Sequence, residues 1–411
     1  MYTLPHQLEF ASDDWIAEAA SYITKAGPQK GVRAFTLSER WNNPPPHLEL
    51  GDSAEWTLTF DGEKAEATRG FQLDADQTSE GEYQAALMFA QAVGMLAPGR
   101  LDAAVAGVHQ WFGVEALRSV RDSNDPGVTN LLLHLHDHMG RRTVENPDLE
   151  HRAAAQGLYR HIREMEENGY TVIENAITPE FADELREATL RALLPHQSVS
   201  MQWMLYHGIE FEQLVMNPQL MTLIDASLGR GAVVASISSI KRGPGKGFIP
   251  MHADYSQVPE PFPEFSLTGV GVWALEDWTV ASGPTWLVPG SHLKRRQPRP
   301  GEKMEGIPIE MPKGSVVYFQ HGVWHWQGDR EEAGDRVTIH SHFNRGILRS
   351  LEPKKVDVQM LHRNPPRLGE ALGEDDWFDK MTADGRDHLR MAHMATLNRF
   401  NDEQKAAILA G

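Results

Sequence analysis

The stretch Phe265–Gly290, FSLTGVGVWALEDWTVASGPTWLVPG, decides the fold. Phe265–Trp273 is rich in apolar and β-branched residues and reads as a strand. Ser282-Gly283-Pro284 is a turn, Thr285–Val288 a second short strand, and Pro289-Gly290 ends it. The same texture continues outward: Val233–Ile240, Ile307–Glu310, Ser315–Phe319 and Val337–Asn344 are further short strands divided by Gly and Pro. So many short strands in sequence predict a sandwich or barrel, and a double-sheet jelly roll is one of the few ways to close it.

Upstream the periodicity changes. Leu158–Asn168 reads as a helix, Gly169–Ile173 as a strand, and Pro179–Leu194 and Phe211–Leu228 as amphipathic helices. Nearer the N-terminus, Trp15, Ile16, Ala19, Ala20 and Ile23 recur at helical spacing behind a cap at Ser12 or Asp13. Trp56–Phe60 alternates, meets Asp61-Gly62, and Glu63–Thr68 alternates again, a hairpin signal. Glu82–Gly94 reads as a helix and Leu101–Val120 as a mixed segment, and Asn146-Pro147-Asp148 marks a boundary. The expected organisation is an N-terminal α+β domain over residues 1–150, a jelly-roll domain over 151–350, and a helical extension over 351–411 that packs on the outside.

Composition narrows the chemistry. With 57 acidic and 39 basic residues the formal charge is −18, which argues against nucleic acid and anionic membrane as partners and favours a small-molecule substrate. The only dense basic run, Lys294, Arg295, Arg296 and Arg299, reads as a solvated loop. There is no cysteine, which excludes disulfides, thiolate metal sites and thiol nucleophiles, so any metal must be held by histidine and carboxylate. Met1–Ala20 lacks a basic segment followed by an apolar core, and no apolar run is long enough to span a bilayer, so a cytoplasmic enzyme is expected. Homo-oligomerisation is left open.

His252-Ala253-Asp254 places two ligand-type side chains at i and i+2, on the same side of an extended segment. Two histidines and a carboxylate on one face of a metal leave three positions open, the arrangement of non-haem iron oxygenases. His-x-Asp alone is a weak signal and is usually a surface hydrogen bond. Four histidines downstream, His321, His325, His340 and His342, are candidates for a third ligand.

Several ordered motifs around this pair resemble the phytanoyl-CoA dioxygenase family of 2-oxoglutarate oxygenases. They begin at Glu167–Asn175 and continue through Lys241–Asp254, Trp273–Asp277, Ser282-Gly283-Pro284 and Pro289-Gly290-Ser291-His292. They end with Lys313–Phe319, His325 and Arg336. The resemblance spans roughly residues 160–346. It implies a double-stranded β-helix (jelly roll, cupin-like) catalytic domain with flanking helices, within an α+β chain. It also implies Fe(II) as metal, with 2-oxoglutarate and O2 as co-substrates, and oxidation of a C–H bond with release of succinate and CO2. In the family the distal ligand lies six residues after the strand-ending Phe and eleven before the arginine, and His325 fits both relative to Phe319 and Arg336. The implied metal ligands and catalytic residues are therefore His252, Asp254 and His325. His340 and His342 read as hydrogen-bonded core residues, and His292 as a loop residue rather than a ligand.

The resemblance also implies that Arg336 clamps the distal carboxylate of 2-oxoglutarate, since a guanidinium offers two parallel donors and a permanent charge. Thr338, one strand repeat on, adds a hydroxyl contact. Asp254 disfavours halogenation, because related halogenases carry a small non-ligating residue there. Met251 and Trp326 depart from the family's usual aromatic and glycine, and Trp324 and Trp326 flank the ligand as either pocket walls or core.

Two features lie outside this scheme. His134-Leu135-His136-Asp137-His138 looks metal-like but sits on a helical pattern and reads as surface or capping. The N-terminal segment resembles the sterol carrier protein fold, which implies an apolar substrate or a dimer interface. The rival functions are a lipid-binding or carrier protein with a secondary or inactive oxygenase domain, and a metal-dependent cupin hydrolase or isomerase, which would need neither Arg336 nor 2-oxoglutarate.

Overall fold

The computed structural model describes residues 7–196, 199–350, 356–374, 381–382, 385–386 and 388–411. Of the expected C-terminal extension, residues 351–355, 375–380, 383–384 and 387 lie outside the described residues. The chain divides into two compact units: Met1–Gln156 with Val356–Gly369, and Gly157–Lys355 with Glu370–Gly411.

The first unit is a five-stranded sheet with helices. The strand order is Ala65–Arg69, Ser53–Phe60, Phe35–Asn42, Gln77–Glu82, Leu117–Arg121. The Asp61-Gly62 hairpin is present, and the central pair, Phe35–Asn42 with Gln77–Glu82, is parallel. Helix Asp13–Gln29 starts at Ser12, whose hydroxyl accepts from the Trp15 N–H at 3.2 Å, and it buries Trp15, Ile16, Ala19, Ala20 and Ile23. The metal-like run sits on helix Pro126–Gly140 and is used in packing. His138 Nε2 is 2.7 Å from Glu18 Oε1, His136 Nε2 is 3.0 Å from the Ala92 carbonyl, and Asp137 Oδ1 accepts from Gly94 N and Met95 N.

The second unit carries two main sheets, besides the short antiparallel pair Met381–Thr382 with Gly385–Arg386. The larger has the order Tyr170–Ile173, Val316–Gln320, Thr268–Ala274, Arg336–Asn344, Val233–Arg242, Ser200–Met201, with every pair antiparallel. The smaller has the order Ile307–Pro308, Thr285–Leu287, His325–Gln327. Side-chain alternation turns Val270, Val272, Ala274, Val317 and Phe319 of the large sheet inward, where they pack with Leu287 of the small one. The opposite face is covered by helix Pro218–Leu228: Gly271 has no side chain where Leu220 presses closest, and Ser227 Oγ meets Tyr318 Oη at 2.6 Å. Strands Thr268–Ala274 and Val316–Gln320 are thus buried on both faces, which explains why these two read as near-continuous apolar runs.

The expected helix Phe211–Leu228 is two helices, Ile209–Val215 and Pro218–Leu228. Pro218 lacks an N–H to continue the first, and Asn217 caps the second by accepting from Leu220 N at 3.0 Å. Among the described residues no helix is long and apolar enough to cross a membrane.

Gly169 links this scaffold to the site. It ends helix Tyr159–Asn168 in the left-handed region at φ +81°, and its carbonyl accepts from Gln320 N at 3.0 Å. A Cβ there would lie 2.5 Å from His292 Nδ1 and from a methyl of Val323. Gly169→Ala should lower stability by about 1–3 kcal/mol, as strain in the left-handed region and crowding combine. The expected readout is a lower urea midpoint at unchanged slope, and an unchanged midpoint would show that the close approach is not required.

Candidate metal centre

His252 and His325 are brought together by the backbone before any side chain is considered. His252 N–H donates to the His325 carbonyl at 3.0 Å, and His325 N–H donates to the His252 carbonyl at 2.9 Å. Two residues far apart in sequence thus become a hydrogen-bonded antiparallel pair, with side chains on the same side and ring centroids 4.2 Å apart. Asp254, two residues on, returns to that side, and its N–H donates to the His321 carbonyl at 2.8 Å. One imidazole nitrogen from each histidine and one Asp254 oxygen all lie within 4.8 Å of one another. His252 Nε2 is 3.1 Å from Asp254 Oδ1, and His325 Nε2 is 3.7 Å from the same oxygen.

Each ligand-type histidine has its other nitrogen fixed. His252 Nδ1 is 2.8 Å from the Pro250 carbonyl, and His325 Nδ1 is 3.0 Å from the Val323 carbonyl. A carbonyl only accepts, so both Nδ1 atoms carry the proton and both Nε2 atoms present lone pairs to the cluster when neutral. That outer bond is the usual companion of a metal-binding imidazole. Two imidazoles and one carboxylate, with no thiolate, form a donor set that suits Fe(II).

The electrostatics favour a cation. Burial alone would raise the Asp254 carboxyl. The imidazoles of His321, His325 and His252 outweigh that and hold it far below the usual carboxylate range. Burial disfavours the charged form of His252, yet the hydrogen bond and charge of Asp254 leave it raised. His325 and His321 are lowered, chiefly by burial.

His321 is the residue that spacing arguments passed over. Its Nε2 sits 3.5 Å from Asp254 Oδ2, and its Nδ1 is 2.6 Å from Thr268 Oγ1. The signal was available in hindsight only through the antiparallel pairing of 252–254 with 321–325, which no linear motif displays. His340 and His342 lie on the same large-sheet strand, with His342 ring-to-ring 5.6 Å from His321. Burial, with neighbouring positive groups, pushes His340 down to about 3 and His342 to about 4, so both are neutral near neutral pH, and both side chains are half-buried.

On that strand Arg336, Thr338, His340 and His342 share one face. Arg336 is buried, and its guanidinium lies over the Trp278 ring, 4.9 Å from the centroid. Its Nη1 donates to the carbonyls of Gly283 and Ser282, while its Nε has no hydrogen-bond partner among the described residues. Arg242 is its cross-strand partner, and Arg330 is another near neighbour. Burial and these two cations push the Arg336 pKa down to about 10, with Glu276 and Glu332 opposing. Thr338 Oγ1 is 3.2 Å from His340 Nε2.

Trp324 is core: it is fully buried, donates from Nε1 to the Arg296 carbonyl at 2.8 Å, and packs with Ala253, Tyr255, Phe262 and Val288. Trp326 stacks on Trp286 across the small sheet, centroids 5.6 Å apart. The basic run is more than a solvated loop. Arg296 and Lys294 lie over the Trp324 ring, and Arg295, Arg296 and Arg299 pair with Glu264, Glu302 and Glu260.

Residues 165–329 match the family model described as Phytanoyl-CoA dioxygenase (PhyH), so the family resemblance holds over this segment of the chain. Among curated relatives, an uncharacterized protein of Mycobacterium bovis and one of Mycobacterium tuberculosis are each 28% identical over 113 residues, 27% of this chain. The match spans only 40% of the length of those relatives. Among solved structures, HygX from Streptomyces hygroscopicus with iron bound is 13% identical at a TM-score of 0.40, covering 47% of this chain and 89% of that one. HygX with nickel and 2-oxoglutarate bound gives 13% and 0.39, covering 47% and 88%.

The cluster makes a discriminating prediction for metal binding. His325→Ala should weaken Fe(II) affinity by at least about 100-fold, since loss of an outer-shell partner alone costs 10–100-fold. His340→Ala should leave it within about threefold, because His340 stands outside the cluster. Anaerobic Fe(II) titration of the two variants is the check, and the reverse ranking would move the third ligand to His340.

Proposed function

We propose that this protein is an Fe(II)- and 2-oxoglutarate-dependent oxygenase that oxidises an unactivated C–H bond of a small organic substrate. The observation that carries the reading is a two-histidine, one-carboxylate cluster together with a buried arginine that has an unused donor, on a strand whose His340 feels the charges of both Arg336 and Asp254. A metal hydrolase or isomerase of similar fold needs only the first. The family match over residues 165–329 supports the same assignment. In this reading residues 151–350 form a jelly-roll catalytic domain and residues 1–150 contribute no ligand.

Each residue then has a task. His252, Asp254 and His325 hold the metal on one face and leave three positions for co-substrate and oxygen. The bound iron with 2-oxoglutarate and O2 supplies the oxidising power, with succinate and CO2 as by-products. The Pro250 and Val323 carbonyls keep both Nε2 atoms aimed at the metal. Arg336 receives the distal carboxylate on its Nε edge, because its Nη1 edge is already held by Ser282 and Gly283. The nearby Arg242 and Arg330 add positive charge at that end of the interior, which a bound carboxylate offsets. Thr338 lies between Arg336 and His340 on the same face and can add a hydroxyl contact. With a carboxylate at 254 occupying a metal position, hydroxylation or a related oxidation is favoured over halogenation.

Arg336→Ala should weaken 2-oxoglutarate binding by about 2–5 kcal/mol, the usual cost of truncating one partner of a buried charge pair. That is roughly 30-fold or more in Kd. Fe(II) affinity should change by less than about threefold. Calorimetry with and without metal, together with succinate formation across a substrate panel, tests this. Unchanged 2-oxoglutarate binding would make Arg336 structural and remove the feature that separates an oxygenase from a hydrolase.

A further inference from the structure

The first unit contains a cavity of about 740 Å³, a size that suits an organic small molecule. Its floor is the inner face of the five-stranded sheet. Phe35, Leu37, Glu39 and Trp41 alternate onto that face of one strand, so a single acid interrupts an apolar stripe. Trp56 stands directly across from Glu39 on the next strand. On the other side Ser79 lies opposite Glu39, and its small side chain lines the cavity without filling it. The roof is helix Arg100–Phe112, which buries only Val108 and turns Leu101, Val105 and Ala106 to the cavity.

Glu39 is held in a way that stability does not explain. Both indoles, Trp41 Nε1 and Trp56 Nε1, donate to its Oε2 at 3.0 Å. Oε1 has no hydrogen-bond partner among the described residues, and Glu39 lines the cavity. The carboxyl is shielded from bulk water, and burial raises it to about 7 against the pull of the two indole bonds, yet the residue keeps some accessible surface. That remaining surface faces the cavity. A carboxyl left in apolar surroundings without a counter-charge is unfavourable, and such groups concentrate at binding sites.

We propose that this cavity binds a small organic amine, an apolar body carrying a protonated nitrogen that pairs with Oε1 of Glu39. Charge selects the sign of the ligand. The cavity is lined by Glu39, Asp102 and Asp122 against Arg118 alone, and that guanidinium is already paired with Glu80 and Glu115. A carboxylate ligand would meet repulsion, whereas an ammonium gains the Glu39 charge and the faces of Trp41 and Trp56. A neutral alcohol gains burial and one hydrogen bond but no charge pairing.

The test compares decylamine, decanol and decanoate on the full chain at pH 8, by calorimetry and tryptophan fluorescence. Decylamine should bind at least about tenfold more tightly than decanoate, the effect of about one charge-assisted bond. Glu39→Gln keeps an acceptor for both indoles, so it should fold. It should cut decylamine affinity about tenfold or more while leaving decanol within about threefold. Ala106→Trp, which fills the cavity, should abolish binding of all three. Decanoate binding as tightly as decylamine, an unaltered amine preference in Glu39→Gln, or no binding of any probe would each overturn the proposal. None of these readouts involves the metal centre, so the outcome is independent of the oxygenase reading.

Discussion

The candidate metal centre depends on one backbone interaction: the reciprocal pair of hydrogen bonds between His252 and His325. It converts a two-residue motif and a remote histidine into neighbours on one face. The Asp254 N–H bond to the His321 carbonyl ties the same two segments together a second time, two residues out of the register of the first pair, so carboxylate and imidazoles converge without any side chain having to find its place alone. The cost is electrostatic. A buried carboxylate lies among three imidazoles: burial disfavours the charged form of His325 and His321, whereas Asp254 sustains that of His252. The scaffold tolerates this because strands Thr268–Ala274 and Val316–Gln320 of the large sheet are buried on both faces.

A second imbalance stands at the other end of the Arg336–Asn344 strand. Arg336, Arg242 and Arg330 gather there against Glu276 and Glu332. Arg242 spends its donors on the Gly328 and Gly245 carbonyls, and Arg330 pairs with Glu276 at 3.3 Å, so both are satisfied. Arg336 keeps an unpartnered Nε inside the protein. Leaving a guanidinium donor unused in a buried place is unfavourable unless something occupies it in the working state. The cation at Arg336 and the anion at Glu39 of the first unit are thus opposite in sign and alike in kind: each is a charged side chain with one hydrogen-bonding atom left unpaired among the described residues.

Much of this was legible in the sequence. Strands at Thr268 and Val316 announce themselves because burial on both faces leaves apolar runs, and those at Val233, Thr285 and Arg336 through β-branched and apolar residues between Gly and Pro breaks. The Asp61-Gly62 hairpin and the Ser12 cap are local signals and survive intact. What escaped is non-local. Strand His325–Gln327 has three residues and draws its definition from its pairing partners. Strands Phe35–Asn42 and Gln77–Glu82 hide because their inner faces carry Glu39, Gln77 and Ser79 around a cavity, which erases the apolar alternation. His321 was passed over for the same reason, since its relation to Asp254 exists only across the pairing. The Asn217-Pro218 break was readable from residue type, and the amphipathic pattern on both sides obscured it.

The account stands on His252, Asp254 and His325 sharing one metal with a carboxylate held at Arg336. The most direct test is a crystal grown anaerobically with Mn(II), an oxygen-inert stand-in for Fe(II), and 2-oxoglutarate, with anomalous scattering recorded at the manganese edge. The account predicts one strong peak within bonding distance of His252 Nε2, Asp254 and His325 Nε2, with the distal carboxylate of 2-oxoglutarate on the Nε edge of Arg336. A peak bound elsewhere, or 2-oxoglutarate turned away from Arg336, would contradict it.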